Sequence, residues 1–113
     1  MWYDDRVLYY YSEANIIYLN SDSSYMFYGL WDVSSIDIDI FDTSKVTDMS
    51  HMFDRCIRID TLELSEFDVS QVTDMSYMFY GTNRNYINES IISEWTIKDD
   101  CDTTRMFDDF PIY

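Results

Sequence analysis

The pattern V-T-D-M-S-x-M-F occurs twice in this chain, at 46–53 and again at 72–79, one repeat of 26 residues apart. A fixed period of this length is typical of a solenoid, in which each repeat folds as one coil and stacks on the next. The repeat therefore constrains the architecture before any argument from residue propensities. It also favours a binding surface over a catalytic site.

Two degenerate copies flank the clear ones. One repeat earlier, 20–27 reads NSDSSYMF, and 100–107 reads DCDTTRMF after a step that is two residues longer. Outer copies are expected to diverge, because terminal coils must present a polar outer side to water. The sequence predicts one domain over 1–113, with an N-terminal cap over 1–6. The predicted coils cover about 7–32, 33–58, 59–86 and 87–113.

The segments between the copies follow the spacing of a leucine-rich repeat. The matching residues of one copy are Ile59, Leu62, Leu64, Phe67 and Val69. Apolar residues two apart predict a short strand with one buried face. Met49, Met52 and Phe53 lie at i, i+3 and i+4, which predicts a one-sided helical turn. Each coil is therefore expected to contain a short strand and a short helical turn, and the fold class to be α/β.

The two clear copies with their flanks, at 41–56 and 67–81, resemble the repeat of BspA-like bacterial surface proteins and mycoplasma lipoproteins. The resemblance is strong over about 33–82 and weaker, though in register, at both ends. It implies a short right-handed leucine-rich-repeat-like solenoid of about four coils. It also implies a binding role, as an adhesin or interaction scaffold, and supplies no catalytic residues.

Composition sets further bounds. The chain has 113 residues, of which 47% are apolar, and this suffices for one stacked core. It contains no apolar run of about 18 residues, so no transmembrane helix and no membrane partner are predicted. The first six residues do not read as a secretory signal. The predicted localisation is cytoplasmic, or the host cell interior for a phage-encoded protein, and surface-exposed if the native start was trimmed.

The net charge of −15 exceeds the magnitude of about 2–8 that keeps a small domain soluble. Nucleic acid is not expected as a direct partner, because binding it requires Lys and Arg. A basic protein that itself binds nucleic acid is the predicted partner. Strand alternation places carboxylates on the exposed sheet face, and a solvated surface that prevents aggregation is the alternative interpretation. The predicted binding residues of this acidic face are Tyr11, Glu13, Asp37, Asp39, Glu63, Glu66 and Glu89.

A variable position lies between Ser/Thr and Met in each copy, and Tyr25, His51, Tyr77 and Arg105 occupy it. We expect these side chains to face solvent on the turn side of the coil. Exposed Tyr and Arg are common interface anchors, so Tyr25 and Tyr77 are added to the predicted binding residues. The alternative is exposure without a partner. His51 has no neighbours that read as a catalytic triad, so no enzyme activity is predicted.

Three further patterns are interpreted structurally. The Asp column is expected to cap the turns, with a calcium ladder as the alternative, and no metal or cofactor is predicted. Cys56 is expected to be a buried free thiol, and a disulfide with Cys101 is the alternative. The Met-Phe pairs are expected to form core ladders. The members of these columns are Asp22, Asp48, Asp74 and Asp102; Met26, Met52, Met78 and Met106; and Phe27, Phe53, Phe79 and Phe107.

The absence of an export signal, the small number of coils and the acidity together favour a phage, virus or mobile-element protein. The leading hypothesis is a non-enzymatic acidic module, an inhibitor or nucleic-acid mimic that occupies a basic surface of a nucleic-acid-handling partner, as in anti-defence proteins. The alternative is a structural or adhesive surface-repeat protein of the BspA-like type. Calcium-dependent binding and homodimerisation through a terminal coil also remain open.

Overall fold

The computed structural model describes residues 2–4, 7–9, 16–36, 38, 40–59, 62, 64, 66–82 and 95–108, with the backbone alone for the first two ranges. Five short strands lie within these residues. They are β1 Trp2–Asp4, β2 Val7–Tyr9, β3 Ile17–Tyr18, β4 Ser35–Ile36 and β5 Phe41–Asp42. No part of the chain that the structure describes forms a membrane-crossing helix.

The strands form two small sheets in which pairing joins successive repeats. One sheet has the order β1-β2-β4, with β1 antiparallel to β2 and β2 parallel to β4. The other pairs β3 with β5 in parallel, with Ile17 opposite Phe41. Parallel pairing of strands about one repeat apart is what stacking of consecutive coils produces.

The four copies of the repeat stack side by side at the conserved Asp. Asp22, Asp48, Asp74 and Asp102 form a continuous series of parallel bridges. The N–H of Met49 donates to the carbonyl oxygen of Asp74 at 2.8 Å, and that of Met75 to Asp102 at 2.7 Å. The register deduced from the sequence, including the longer last step, is therefore the one that the turns adopt. The handedness, the coil boundaries and the solenoid class stay predictions.

The segment after each Asp is a hydrogen-bonded turn, and the expectation of a short helical turn was wrong for the described residues. Met52 N–H donates to Met49 at 3.2 Å, but Phe53 N–H donates to Met78 of the next copy at 2.8 Å. A helix would direct that N–H to a carbonyl four residues earlier in its own chain. His51 also has a φ of 55°, which is incompatible with a right-handed helix.

The Met and Phe columns form the core, as predicted, and the inner copies are the most deeply buried. Met52, Phe53, Met78 and Phe79 are completely inaccessible to solvent. The Phe rings stack nearly parallel, with centroids 5.3 Å apart for Phe27–Phe53, 5.6 Å for Phe53–Phe79 and 5.5 Å for Phe79–Phe107. The outermost members Met26 and Phe107 are partly buried. The predicted strand positions Ile36, Ile38, Leu62 and Leu64 also face the core.

Cys56 and Cys101 are both unpaired, and Cys56 is buried, as predicted. The Cys56 thiol donates to the carbonyl oxygen of Phe27 at 3.1 Å. One repeat later, the Thr82 hydroxyl donates to Phe53 at 2.6 Å. This position therefore satisfies a carbonyl of the preceding coil with whichever donor the repeat supplies.

Replacing Phe53 with Ala should destabilise the protein by about 3–5 kcal/mol, because the cavity would lie between two stacked rings. Phe107→Ala should cost clearly less, since that ring is partly buried at the end of the column. Urea unfolding followed by tyrosine and tryptophan fluorescence measures both free energies. Equal losses would contradict the central position of Phe53.

Cys56 should resist thiol reagents in the folded state. Burial raises the pKa of its thiol to about 12, so the reactive thiolate is scarce at neutral pH. Labelling with a chromogenic disulfide at pH 8 should modify Cys101 first and Cys56 only upon unfolding. A Cys101→Ser variant isolates the signal of Cys56, and rapid labelling of that variant without denaturant would contradict this prediction.

Candidate interaction site on the variable turn face

The residues immediately before and after each Met-Phe pair form a second pattern on the surface. The four copies read YMFY at 25–28, HMFD at 51–54, YMFY at 77–80 and RMFD at 105–108. The Met and Phe in the middle are constant and their side chains are directed to the core. The residues before and after them, called the first and fourth letters below, change together. We call these outer residues the variable turn face. Its members are Tyr25, Tyr28, His51, Asp54, Tyr77, Tyr80, Arg105 and Asp108.

The first letters form an aromatic column along the stacking direction. The Tyr25 and His51 rings are parallel within 6°, with centroids 4.4 Å apart. His51 and Tyr77 stack in the same way at 4.7 Å. These separations match the spacing of hydrogen-bonded strands, because each ring extends from an equivalent backbone position in successive coils. His51 is thus enclosed by two tyrosine rings.

The fourth letter contacts the first letter of its own copy. Tyr25 meets Tyr28 with ring centroids 5.4 Å apart, and Tyr77 meets Tyr80 at 5.3 Å, both in tilted arrangements. In the next copy the contact is polar: His51 Nδ1 lies 2.6 Å from Asp54 Oδ2. The last copy places Arg105 Nε 3.7 Å from an Asp108 oxygen. Successive copies therefore alternate between an aromatic and a polar pair.

The His51–Asp54 pair is the most buried polar contact of this face. The Asp54 side chain is only 4% exposed and that of His51 is 23% exposed. An ionised carboxylate only accepts, so His51 Nδ1 carries the hydrogen and donates it. The other carboxylate oxygen, Oδ1, has no hydrogen-bond partner and lies 3.6 Å from Arg55 Nε. The carboxylate of Asp54 consequently depends on His51 for its hydrogen bond.

The backbone holds the first-letter residues in the left-handed region. Their φ values are 60° at Tyr25, 55° at His51, 58° at Tyr77 and 51° at Arg105. A side chain with a Cβ costs about 1–2 kcal/mol there, and coil stacking must offset that cost. A second left-handed position follows four residues later and is filled by Gly29, Arg55 and Gly81.

Arg55 stands where the neighbouring copies have glycine, and its guanidinium reaches back over the first copy. Its φ is 65°, close to the 71° and 72° of Gly29 and Gly81. The guanidinium carbon lies 5.6 Å from the centre of the Tyr28 ring, within the range of a cation–π contact. Lys45 lies 6.0 Å from the centre of the Tyr18 ring. Two exposed tyrosines of the first copy thus already face cations of this chain.

The Asp column caps the turns, as predicted. Oδ1 of Asp48 accepts from the N–H and the hydroxyl of Ser50 at 2.9 and 2.7 Å, and Asp74 does the same with Ser76. Such hydrogen bonds favour the ionised form and hold the pKa of Asp22 and of Asp102 below the usual value. Within the described ranges, no group of three or more His, Cys, Asp or Glu side chains is arranged to hold a metal ion.

The structure brings together only part of the predicted site. Tyr25 and Tyr77 join the same column through His51, with Tyr25 52% exposed and Tyr77 partly buried. Glu66 is exposed. The other residues of the acidic face lie outside the described residues, and their placement stays a prediction. These are Tyr11, Glu13, Asp37, Asp39, Glu63 and Glu89.

The residues that follow each Met-Phe pair were not predicted as part of the site; they are Tyr28, Asp54, Tyr80 and Asp108. A signal was present, because Tyr follows Met-Phe only where Tyr precedes it, and Asp follows where His or Arg precedes. In a helix such an i, i+3 pair would be read as neighbours on a solvated surface. The turn instead closes the pair into contact.

The two members of an inner pair should tolerate replacement only together. His51→Tyr alone leaves a buried carboxylate without its hydrogen bond, and we expect a loss of about 1–3 kcal/mol. Adding Asp54→Tyr recreates the pair of both neighbouring copies and should recover most of that loss. Urea unfolding of the two single variants and the double variant measures the coupling free energy. Additive losses would contradict a functional unit of paired residues.

Comparison with known proteins places this repeat in a family. A family model described as "Mycoplasma protein of unknown function, DUF285" matches residues 21–111. No curated protein and no solved structure matches the chain significantly. The match agrees with the resemblance to mycoplasma repeats and spans all four Met-Phe copies. Because it covers most of the sequence, the chain belongs to the DUF285 family.

Proposed function

We propose that this chain is a non-catalytic interaction module of the structural or adhesive surface-repeat kind, and that the variable turn face binds its partner. The surface-repeat interpretation came from the resemblance to mycoplasma repeats. Membership in a family described from Mycoplasma therefore supports it over the acidic-inhibitor interpretation. The family description names no activity. The proposal therefore rests on the geometry of the face.

The observation that carries the proposal is that each copy has separate residues for the core and for the variable turn face. Met and Phe stay constant and form the core, while the flanking first and fourth residues differ in chemistry and, apart from the buried Asp54, are partly or fully exposed. Repeat proteins bind through surface positions that vary on a constant scaffold. Tyr and Arg are the side chains most often found as interface anchors.

The cost of the left-handed backbone supports the same interpretation. Tyr25, His51 and Tyr77 occupy a conformation that glycine or asparagine would adopt more easily. A large aromatic at such a position gains stacking energy, but the Tyr25 side chain remains about half exposed. An exposed ring at a strained position is more simply explained by a contact made outside the chain.

The acidic inhibitor hypothesis stays a prediction. Of its proposed carboxylates, Glu66 is described and exposed, whereas Asp37, Asp39 and Glu63 are not among the described residues. No described contact favours a nucleic-acid mimic. The two hypotheses differ in the side chains on which binding depends, so one set of variants separates them.

The test is capture of partners from a host-cell surface extract by the immobilised chain. The double variant Tyr25→Ser, Tyr77→Ser should lose at least about tenfold in affinity for the captured partner, because two anchors contribute more than 1 kcal/mol together. Binding is then quantified with the purified partner by surface plasmon resonance.

Two matched controls accompany this variant. Tyr18→Ser removes a tyrosine that is 65% exposed but lies off the variable turn face, and Glu66→Gln removes a carboxylate of the acidic face. Both should bind like the unmodified chain. Loss of binding in Glu66→Gln with retention in the double tyrosine variant would reject the proposal in favour of the acidic face.

A further inference from the structure

We propose that the outer edge of the first turn, over 22–28, binds an extended, arginine-containing segment of a basic partner protein, with the guanidinium seated on the open face of Tyr25. The inference rests on the proposed function and specifies the partner that the variable turn face recognises. Three independent features support it: the hydrogen-bonding polarity of this edge, the open aromatic ring and the charge.

The edge presents a row of carbonyl acceptors, with the N–H of Asp22 as an outward donor at its start, by the register of Asp48 and Asp102. The N–H groups of Ser23, Tyr25 and Phe27 all donate inward to the second copy, to Asp48, Ser50 and Met52. The carbonyls of Asp48, Ser50 and Met52 thus face the first copy. By the same register, the carbonyls of Asp22, Ser24 and Met26 point away from the stack.

No described residue donates a hydrogen bond to these three outward carbonyls. An extended segment that runs alongside can supply its N–H groups to such a row, as in strand addition at a sheet edge. An occupant of this edge therefore needs N–H donors for these three carbonyls.

The aromatic column ends at the same edge. Tyr25 stacks on His51 with one ring face, its other contact with Tyr28 is tilted, and the side chain is 52% exposed. At the opposite end, the residue that follows Tyr77 in the backbone register is Arg105, whose Nε lies 3.7 Å from Asp108. An arginine seated on Tyr25 would extend the column by one rung in the other direction.

Neighbouring tyrosines show that a cation fits here. Arg55 approaches the Tyr28 ring at 5.6 Å and Lys45 approaches the Tyr18 ring at 6.0 Å. No cation of the described residues lies over Tyr25 itself. Its ring face is thus the open member of a local set of tyrosines that otherwise face cations.

Charge and hydrogen-bonding geometry select arginine. The chain has a net charge of −15, so a cationic segment is attracted at long range. Asp22 adds a carboxylate at the edge, and hydrogen bonds from Ser24 lower its pKa, so it is ionised at neutral pH. A guanidinium is planar, stacks on aromatic faces and carries five donors and no acceptor. A lysine ammonium satisfies the charge but cannot both stack flat and donate to several carbonyls.

The experiment uses the full chain and a pair of short synthetic peptides of serine and threonine with one central arginine or one central lysine. Isothermal titration should show tighter binding of the arginine peptide. Tyr25→Leu should weaken that binding about fivefold, the size of one exposed cation–π contact, whereas Tyr25→Phe should retain it. NMR amide shifts should centre on 22–26.

Controls separate this site from general attraction to an acidic protein. Tyr18→Leu should leave the arginine peptide unaffected, since Lys45 already faces that ring. Equal affinity of both peptides, or no effect of Tyr25→Leu, would overturn the inference. If the captured partner still depends on Tyr25 and Tyr77 in that case, the proposed function survives and only the arginine site is rejected.

A second copy of this chain is the competing occupant, because Arg105 could reach Tyr25 of another molecule. Sedimentation velocity decides the matter. A concentration-dependent dimer that Arg105→Gln abolishes would replace the partner segment with a second copy and overturn the inference. A monomer at all concentrations, together with specific arginine-peptide binding, supports it.

Discussion

The backbone hydrogen bonds between equivalent turns are the constraint on which the rest of this structure depends. They repeat at the register of the sequence period, so every side-chain column is a direct consequence of them. Once Asp48 is fixed between Asp22 and Asp74, the Phe rings below and the aromatic rings above are brought to stacking distance. Core and surface are thus positioned by a single set of contacts.

Burial and exposure are separated within four consecutive residues. In each copy the two central side chains enter the core and the two flanking side chains contact each other outside it, with Asp54 as the one buried member. The apolar columns are continuous through the stack, and the acidic side chains of the variable turn face, Asp54 and Asp108, each have a basic neighbour in their own copy. Asp54 is the buried carboxylate of this face, and both of its oxygens lie near basic groups, those of His51 and Arg55.

Much of this organisation could be predicted from the sequence. Two near-identical segments set the register of the repeat. From that register the core columns, the capping role of the Asp column and the buried thiol of Cys56 could be predicted. The helical turn was wrong because the spacing of Met49, Met52 and Phe53 fits both a helix and a turn. Only the competition for Phe53 N–H by the neighbouring coil decides between them, and a local pattern does not contain it.

The paired residues of the surface required the turn geometry as well. First and fourth letters vary together in the sequence, but their contact follows from the left-handed residue that closes the turn. The acidic face could be placed by strand alternation alone, and it remains a prediction because nearly all its members lie outside the described residues. The fold was therefore most predictable where the repeat itself supplied the long-range information.

The left-handed residues also bear on how the chain folds. A tyrosine, histidine or arginine rarely visits that conformation in an unfolded chain, so an isolated repeat has little tendency to form its turn. A turn that has already formed presents a row of carbonyls that can template the next one. Folding should then nucleate at the two inner copies and propagate outward, and the degenerate outer repeats would be the first to fray.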